Sequence, residues 1–363
     1  MGLERTCVEL GPRSYSVFVG EGLLGGIDEL LGEGDWRRAL VVTDDNVGPL
    51  YADTVTGSLR RAGLEVALNS IEPGENSKSM HEALELIELL ATSGMTRVDL
   101  LVALGGGVVG DLAGFVASVY KRGMPFLQVP TTLMAQVDSS IGGKTGVNLD
   151  CGKNLVGTFH QPVAVISDVE TLSTLSEREY RSGMAEVAKY SFLRPEMWPT
   201  PLAESAVSLK GVDKAQLAKV VNRCAAIKAE IVSGDECDTG LRAVLNYGHT
   251  LGHALEAATG YDGTYTHGEA VSIGMVYAGI VSEEIGSGPP GVADRHREVL
   301  ASLGLPTTPR TPPGFDAVLD AMRHDKKNRD GITMVLIDRD NNPFVRAGLE
   351  TGMLKCCYQR LVS

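Results

Sequence analysis

The first half of the chain alternates between two hydrophobic periods. Residues 38–43 (RALVVT) form a compact aliphatic run that ends on Asp44, Asp45 and Asn46, and they predict a strand. Residues 78–93 place Leu84, Ile87 and Leu90 at the three-residue spacing of a helix face. Residues 99–104 are a second apolar run of strand length, followed at once by glycines and an apolar helical segment. Residues 125–129 and 163–167 predict two further short strands. Apolar strands that alternate with helices imply a mostly parallel sheet covered on both faces. From about Ser176 to Gly304 the spacing turns helical, over 177–192, 213–233, 249–259 and 268–286, with Gly286–Gly291 as a loop signal. A short strand returns at 333–337. The pattern therefore predicts an α/β first part and a largely helical second part, divided near 175–180.

Length agrees with this, since 363 residues suggest two domains. With 43% hydrophobic residues the chain can bury sizeable cores, which excludes global disorder. A net charge of −13 argues against a general nucleic-acid binder and against anionic membrane surfaces, and leaves room for a local basic pocket. The six cysteines have no CxxC spacing, so neither a disulfide framework nor a structural zinc site is indicated, and the reduced cytoplasm is the expected compartment. The N-terminus has no apolar signal core; Gly2 and Thr6 match the short myristoylation pattern, which occurs readily by chance. The apolar stretch around Leu100–Tyr120 is broken by Asp111 and several glycines and does not predict a membrane span.

Three constellations carry candidate chemistry. Gly105, Gly107 and Gly110 follow a predicted strand and open a helix, an arrangement that lets backbone N–H groups approach a pyrophosphate. A close-packed turn would use the same glycines, and no acidic residue closes the next strand about 20 residues on, where a ribose contact belongs. Asp44 and Asn46, or Glu75 and Lys78, are the alternatives for that contact. The second run, from Thr131 and Thr132 through Asp138 and Lys144 to Lys153 and Asn154, mixes lysines with hydroxyls and glycines. It suits a phosphorylated or polyhydroxylated ligand, or a surface loop. In the third, His249, His253 and Glu256 share a helix face at i, i+4 and i+7, and His267 opens the next helix. Thr250 stands where a zinc protease needs Glu, so the readings are a metal site completed by a distant carboxylate, or core histidines. Glu186 and Lys189, at i and i+3 in an apolar segment, are candidates for that carboxylate and its partner. Lys228 and Arg242 are further basic candidates.

Taken together, the strings GGGVVGDLAGFVAS, VDSSIGGKTGVN, GKNLVGTFHQP, RSGMAEVAKY, LRAVLNYGHTLGHALE, HGEAVSIGM and MRHDKKNRDG resemble the 3-dehydroquinate synthase family of sugar phosphate cyclases. The resemblance implies an NAD-binding Rossmann-like α/β domain over 1–177 and a mainly helical metal- and substrate-binding domain over 178–363. It implies a cytoplasmic homodimer that uses NAD and a divalent metal, zinc or cobalt, with no nucleic-acid or membrane partner. By resemblance the metal ligands are Glu186, His249 and His267. NAD contacts fall on Glu75, Lys78, Gly107, Val108, Val109, Gly110, Asp111, Thr131, Thr132, Lys144, Lys153, Thr171, Leu172, Ser173 and Thr174. Substrate groups fall on Asp138, Lys144, Asn154, Lys189, Lys228, Arg242, Asn246, His253 and Lys327. The implied reaction takes a heptulosonate phosphate through transient oxidation, phosphate elimination, reduction and aldol closure. Lys153, Asn154, Lys228, Arg242 and His253 are available for its phosphate, and Arg242 is the natural bidentate partner of its carboxylate. Cyclases of secondary metabolism, including an aminodehydroquinate synthase, and a metal-dependent alcohol dehydrogenase are the alternatives. Departures from the family pattern fall at Thr264–His267, Ser191 and Asp338–Pro343.

Overall fold

The structure is a computed structural model that describes residues 2–32, 34–149, 152–198, 213–324 and 331–363. Contacts divide the chain into two units, Met1–Leu175 with Val212–Cys237, and Ser176–Gly211 with Asp238–Ser363. This corrects the expected linear division at 177. The helix Lys214–Gly234 groups with the first unit because it packs on strands β1 (Glu4–Val8) and β2 (Tyr15–Gly20). A helical period predicts that a helix exists, and carries no information on which sheet it covers.

The first unit is built on a seven-stranded sheet. Besides β1 and β2 it contains β3 (Arg38–Asp44), β4 (Glu65–Ile71), β5 (Leu100–Gly105), β6 (Phe126–Pro130) and β9 (Ala164–Asp168), in the order β1-β2-β9-β6-β5-β3-β4. All neighbours are parallel except β1 and β2, which run antiparallel. Helices Met80–Thr92 and Gly107–Val119 cover one face, where Leu86, Leu90, Leu112 and Val116 meet Leu40, Val42, Leu101 and Ala103. Helix Gly48–Arg61 covers the other, where Val55 and Leu59 meet Val41, Val102 and Leu104. The chain runs outward from β3 to β4 and then returns to the opposite side of β3 with β5. The helices that follow β3 and β5 therefore leave to opposite faces. The crevice beyond the carboxyl ends of β3 and β5 is where open α/β sheets bind ligands. The second glycine-rich run is an antiparallel hairpin, β7 (Lys144–Leu149) with β8 (Gly152–Phe159).

The second unit centres on helix His267–Glu284, which is buried on every side from Gly268 to Ser282. Helices Glu177–Leu193, His249–Ala258, Val292–Ser302 and Thr351–Val362 and strand β10 (Ile332–Ile337) pack on it. An all-round apolar helix needs such a jacket. Glycines let two of these neighbours come closer than side chains permit. A Cβ at Gly274 would stand 1.8 Å from the Gly248 carbonyl oxygen, and one at Gly268 would stand 2.0 Å from the Ser182 carbonyl oxygen. Gly248 itself has φ +80°, a conformation that β-carbons disfavour. The first contact sets the start of helix His249–Ala258 against the middle of helix His267–Glu284, and the second sets the start of helix His267–Glu284 against helix Glu177–Leu193. Among the described residues no helix is long and apolar enough to cross a membrane.

Gly274→Ala is expected to destabilise the protein by about 1–3 kcal/mol or more, because the obstacle is backbone rather than a flexible side chain. The thermal midpoint should fall by roughly 3–10 °C. A midpoint within about 1 °C of wild type in calorimetry would contradict this packing, given the usual size of such effects.

Candidate active-site groups

In the first unit, β5 ends at Gly105 and helix Gly107–Val119 starts with no side-chain cap. The N–H groups of Gly107, Val108 and Val109 lie in the first turn, where helix geometry offers no intrahelical acceptor. Backbone donors and the helix dipole together make this end fit for a phosphate. Val109 buries its side chain in the core at 1% exposure, so only its N–H is available to a ligand. Gly110 is held by close packing, since a Cβ there would stand 2.8 Å from Gln128 Oε1.

Next to this turn the structure assembles a polar network. Lys78 is 4% exposed, and its Nζ donates to Asp111 Oδ2 at 2.5 Å and to Asn154 Oδ1 at 2.5 Å. Burial pushes the Asp111 carboxyl up, against the opposing charge of Lys78. Asn148 donates through Nδ2 to Glu75 Oε1 at 2.7 Å and accepts the Asn154 N–H at 2.9 Å. Glu75 and Lys78 from one turn, Asp111 from the helix and Asn154 from β8 are thus one constellation drawn from three separated segments. Lys228 Nζ donates to the Asp138 carbonyl at 2.7 Å and stands 3.0 Å from Asp138 Oδ1. Asp138 sits in a π-turn over Ala135–Ser139, a local irregularity that is frequent at functional sites.

Other expected nucleotide residues are engaged in the scaffold. Asp44 Oδ1 accepts the N–H groups of Asn46 and Val47 at 2.9 and 3.0 Å and closes the turn after β3, while Asn46 is exposed. Thr132 Oγ1 accepts the Ala135 N–H at 3.2 Å, and Thr131 is buried. The Thr171 hydroxyl donates to the Asp168 carbonyl and accepts from Gln136 Nε2. Ser173 donates to the Glu170 carbonyl, Thr174 meets the Tyr51 hydroxyl at 2.7 Å, and Leu172 is a core residue. Lys144 is exposed at the start of β7, and Lys153 is half-buried on β8.

In the second unit, Glu186 and Lys189 lie on helix Glu177–Leu193, each 1% exposed and paired with each other. Glu186 Oε1 stands 3.6 Å from His249 Nε2 and 3.7 Å from His267 Nε2. The far nitrogen of each imidazole has its own acceptor. His249 Nδ1 donates to the Tyr247 carbonyl at 3.2 Å, and His267 Nδ1 to Glu256 Oε2 at 3.1 Å. These partners assign the proton to Nδ1 and turn both Nε2 lone pairs toward Glu186. Burial, then the charge of Lys189, holds His249 well below the ordinary histidine range, so it stays neutral. Burial also pulls His267 down, but the Glu256 hydrogen bond and the charges of Glu256 and Glu186 outweigh it and raise the group.

Both Glu186 oxygens are buried and accept no hydrogen bond of normal geometry. A buried carboxylate paired with Lys189 through Oε2, whose Oε1 faces two imidazole nitrogens, is a donor set that fits a divalent cation. His253 offers a rival arrangement: it is exposed, and its ligand atom lies within 4.8 Å of those of His249 and His267. Arg242 is fully buried at 2% exposure, seven positions before His249, and Asn246 Nδ2 donates to the Ala243 carbonyl at 2.9 Å. Lys327 lies outside the described residues. Sequence reading missed the Asn148 bridge and the Tyr247 carbonyl. It noted Glu256 on the histidine face but gave it no role; the seven-residue spacing was the available signal.

Comparisons with known proteins identify the family. The family models described as 3-dehydroquinate synthase N-terminal and C-terminal match residues 68–182 and 183–328. A 3-dehydroquinate synthase of Geobacter metallireducens is 47% identical over 92% of this chain and 93% of its own length. A solved 2-deoxy-scyllo-inosose synthase in complex with carbaglucose-6-phosphate, NAD+ and Co2+ superposes with TM-score 0.89 at 26% identity, covering 99% of each chain. The 2-epi-5-epi-valiolone synthase of Streptomyces hygroscopicus, with NAD+ and Zn2+ bound, gives 0.85 at 27% identity over 97% of each. The polar network around Lys78 and the histidine-carboxylate cluster therefore sit on a chain that belongs to the 3-dehydroquinate synthase family.

Proposed function

We propose that the chain is a 3-dehydroquinate synthase, a phosphate-eliminating carbon–oxygen lyase that converts 3-deoxy-D-arabino-heptulosonate 7-phosphate to 3-dehydroquinate. The observation that carries this reading is the convergence of Glu186 Oε1 with Nε2 of His249 and His267. The cofactors named for the two solved relatives support NAD and zinc or cobalt as its partners. Work as a cytoplasmic homodimer is part of the same proposal and rests on the family resemblance.

Bound at these groups, a divalent metal would supply Lewis acidity toward substrate oxygens and NAD a reversible hydride acceptor. The chain's own residues do the rest. The uncapped N–H groups of Gly107–Val109 bind pyrophosphate, and Glu75 and Lys78 hold the nucleotide from the adjoining network. Glu186, His249 and His267 provide the ligand atoms, oriented by Tyr247 and Glu256. Lys189, buried against Glu186, adds a positive charge where substrate oxygens gain negative charge. Lys228, steered by Asp138, is assigned to the substrate phosphate, and Arg242 to its carboxylate. A buried guanidinium selects a substrate that carries a carboxylate, which favours this reading over the inosose and valiolone cyclases.

Chelator treatment is expected to abolish turnover, and zinc or cobalt to restore it. In metal analysis of purified protein, His267→Ala should lose more metal than His253→Ala. Full activity of a metal-free preparation, or the reverse order of the two variants, would contradict the assignment.

NAD should act catalytically. Many product molecules are expected per NAD, with no accumulation of NADH followed by absorbance in the steady state. One NADH per product would point to an alcohol dehydrogenase instead.

Arg242→Lys cannot reproduce two parallel N–H bonds to a carboxylate. The loss of a buried charge-assisted contact should cost about 2–5 kcal/mol, or about 30- to several-thousand-fold in kcat/KM. NAD and zinc binding, measured by titration, should stay near wild type. Retention of most activity, or preference of the wild type for a sugar phosphate without a carboxylate, would favour a specialised cyclase.

A further inference from the structure

His296 is a buried histidine that the proposed reaction leaves without a task. It lies on helix Val292–Ser302 at 3% exposure, behind the cluster rather than in it. Its Nδ1 stands 2.6 Å from the Val292 carbonyl, which can only accept, so Nδ1 carries the proton. Nε2 is then an acceptor, and the Tyr247 hydroxyl, 2.9 Å away and itself fully buried, donates to it. Burial pulls the His296 imidazole down to about 4, against the opposing Val292 hydrogen bond, so this direction of donation holds at neutral pH.

Tyr247 is the residue whose carbonyl receives the His249 Nδ1 proton. A single buried residue therefore reaches from His296 at one end to a candidate metal ligand at the other. The same imidazole stacks on Phe192 with ring centroids 3.9 Å apart, and Phe192 lies on the helix that carries Glu186. The helix of His296 also meets the helix of His267 at close range, where a Cβ on Gly279 would stand 3.0 Å from Ala293 Cα. One helix thus touches the helices of Glu186 and His267 and the residue whose carbonyl holds His249.

We propose that His296 is a positioning residue of the Glu186–His249–His267 centre, acting through the Tyr247 hydroxyl and the Phe192 ring. It touches neither substrate nor metal. It fixes the ring of Tyr247, hence the carbonyl that aims His249, and it sets the helix of Glu186 against that residue. This inference rests on the metal reading of the cluster and goes beyond it.

The test is Co2+ binding to the full-length apoprotein, read by chelator competition and by the visible d–d spectrum, with no substrate present. Tyr247→Phe keeps the ring and removes the hydroxyl, and His296→Leu removes the acceptor. Each is expected to weaken Co2+ binding about 10- to 100-fold and to alter the spectrum. The double variant should be no weaker than the worse single one, because the two residues act as one unit. His296→Gln, which returns an acceptor oxygen, should recover affinity to within about threefold of wild type, well inside the loss expected for a removed outer partner. A lower thermal midpoint with wild-type affinity and spectrum in Tyr247→Phe would overturn the proposal and leave the metal reading standing. A wild-type protein that binds no Co2+ would overturn both.

Discussion

The second unit depends on one contact: the backbone of Gly248 against the backbone of Gly274, where no β-carbon fits. Helix His267–Glu284 is apolar all round and would pack against any apolar neighbour. Hydrophobic burial is not directional, so it cannot by itself place two imidazoles. The glycine contact does, because it sets the depth and the register at which the helices meet. The close approach at Gly268 and Ser182 does the same for the helix of Glu186. Glu186 Oε1 then stands 3.6–3.7 Å from the two imidazole nitrogens.

Such a cluster is costly without an ion. A carboxylate at 1% exposure needs compensation, and Lys189 supplies one charge while adding a second buried ion. The imidazoles meet the same problem by different means. His249 stays neutral, donating to a backbone carbonyl, whereas His267 leans on Glu256. A cation held by both Nε2 atoms and Glu186 would join all three donors at once. The first unit repeats the theme with a different ligand in view. Gly110 against Gln128 sets the helix close to the sheet, and the first turn beside Lys78 and Asp111 has no side-chain cap.

What was legible in the sequence follows the strength of each local signal. Strands β3, β5, β6 and β9 are buried on both faces, so their apolar runs stand out. Edge strands β1 and β4 are half-exposed and mix polar with apolar positions, and neither was read as a strand. The hairpin β7–β8 is rich in glycine, asparagine and threonine and resembled a loop; its pairing lets Gly146 and Gly157 face each other. The three histidines were visible through helical spacing, and Glu186 through charge in an apolar helix. Their orientation was not visible, because the Tyr247 carbonyl has no sequence signature and Glu256 lies eleven positions from His267. The helix Lys214–Gly234 was found with nearly correct ends and assigned to the wrong unit, since covering a distant strand pair leaves no local trace.

The central claim is that Glu186, rather than His253, completes the centre with His249 and His267. Two donor sets compete within a few ångströms, and they differ in one ligand. X-ray absorption at the zinc edge of the loaded protein separates them, because each bound imidazole adds its own multiple scattering. The account predicts two imidazole nitrogens and at least one carboxylate oxygen at about 2.0–2.2 Å, unchanged in spectrum by His253→Ala. Three imidazoles, with one lost on His253→Ala, would contradict it.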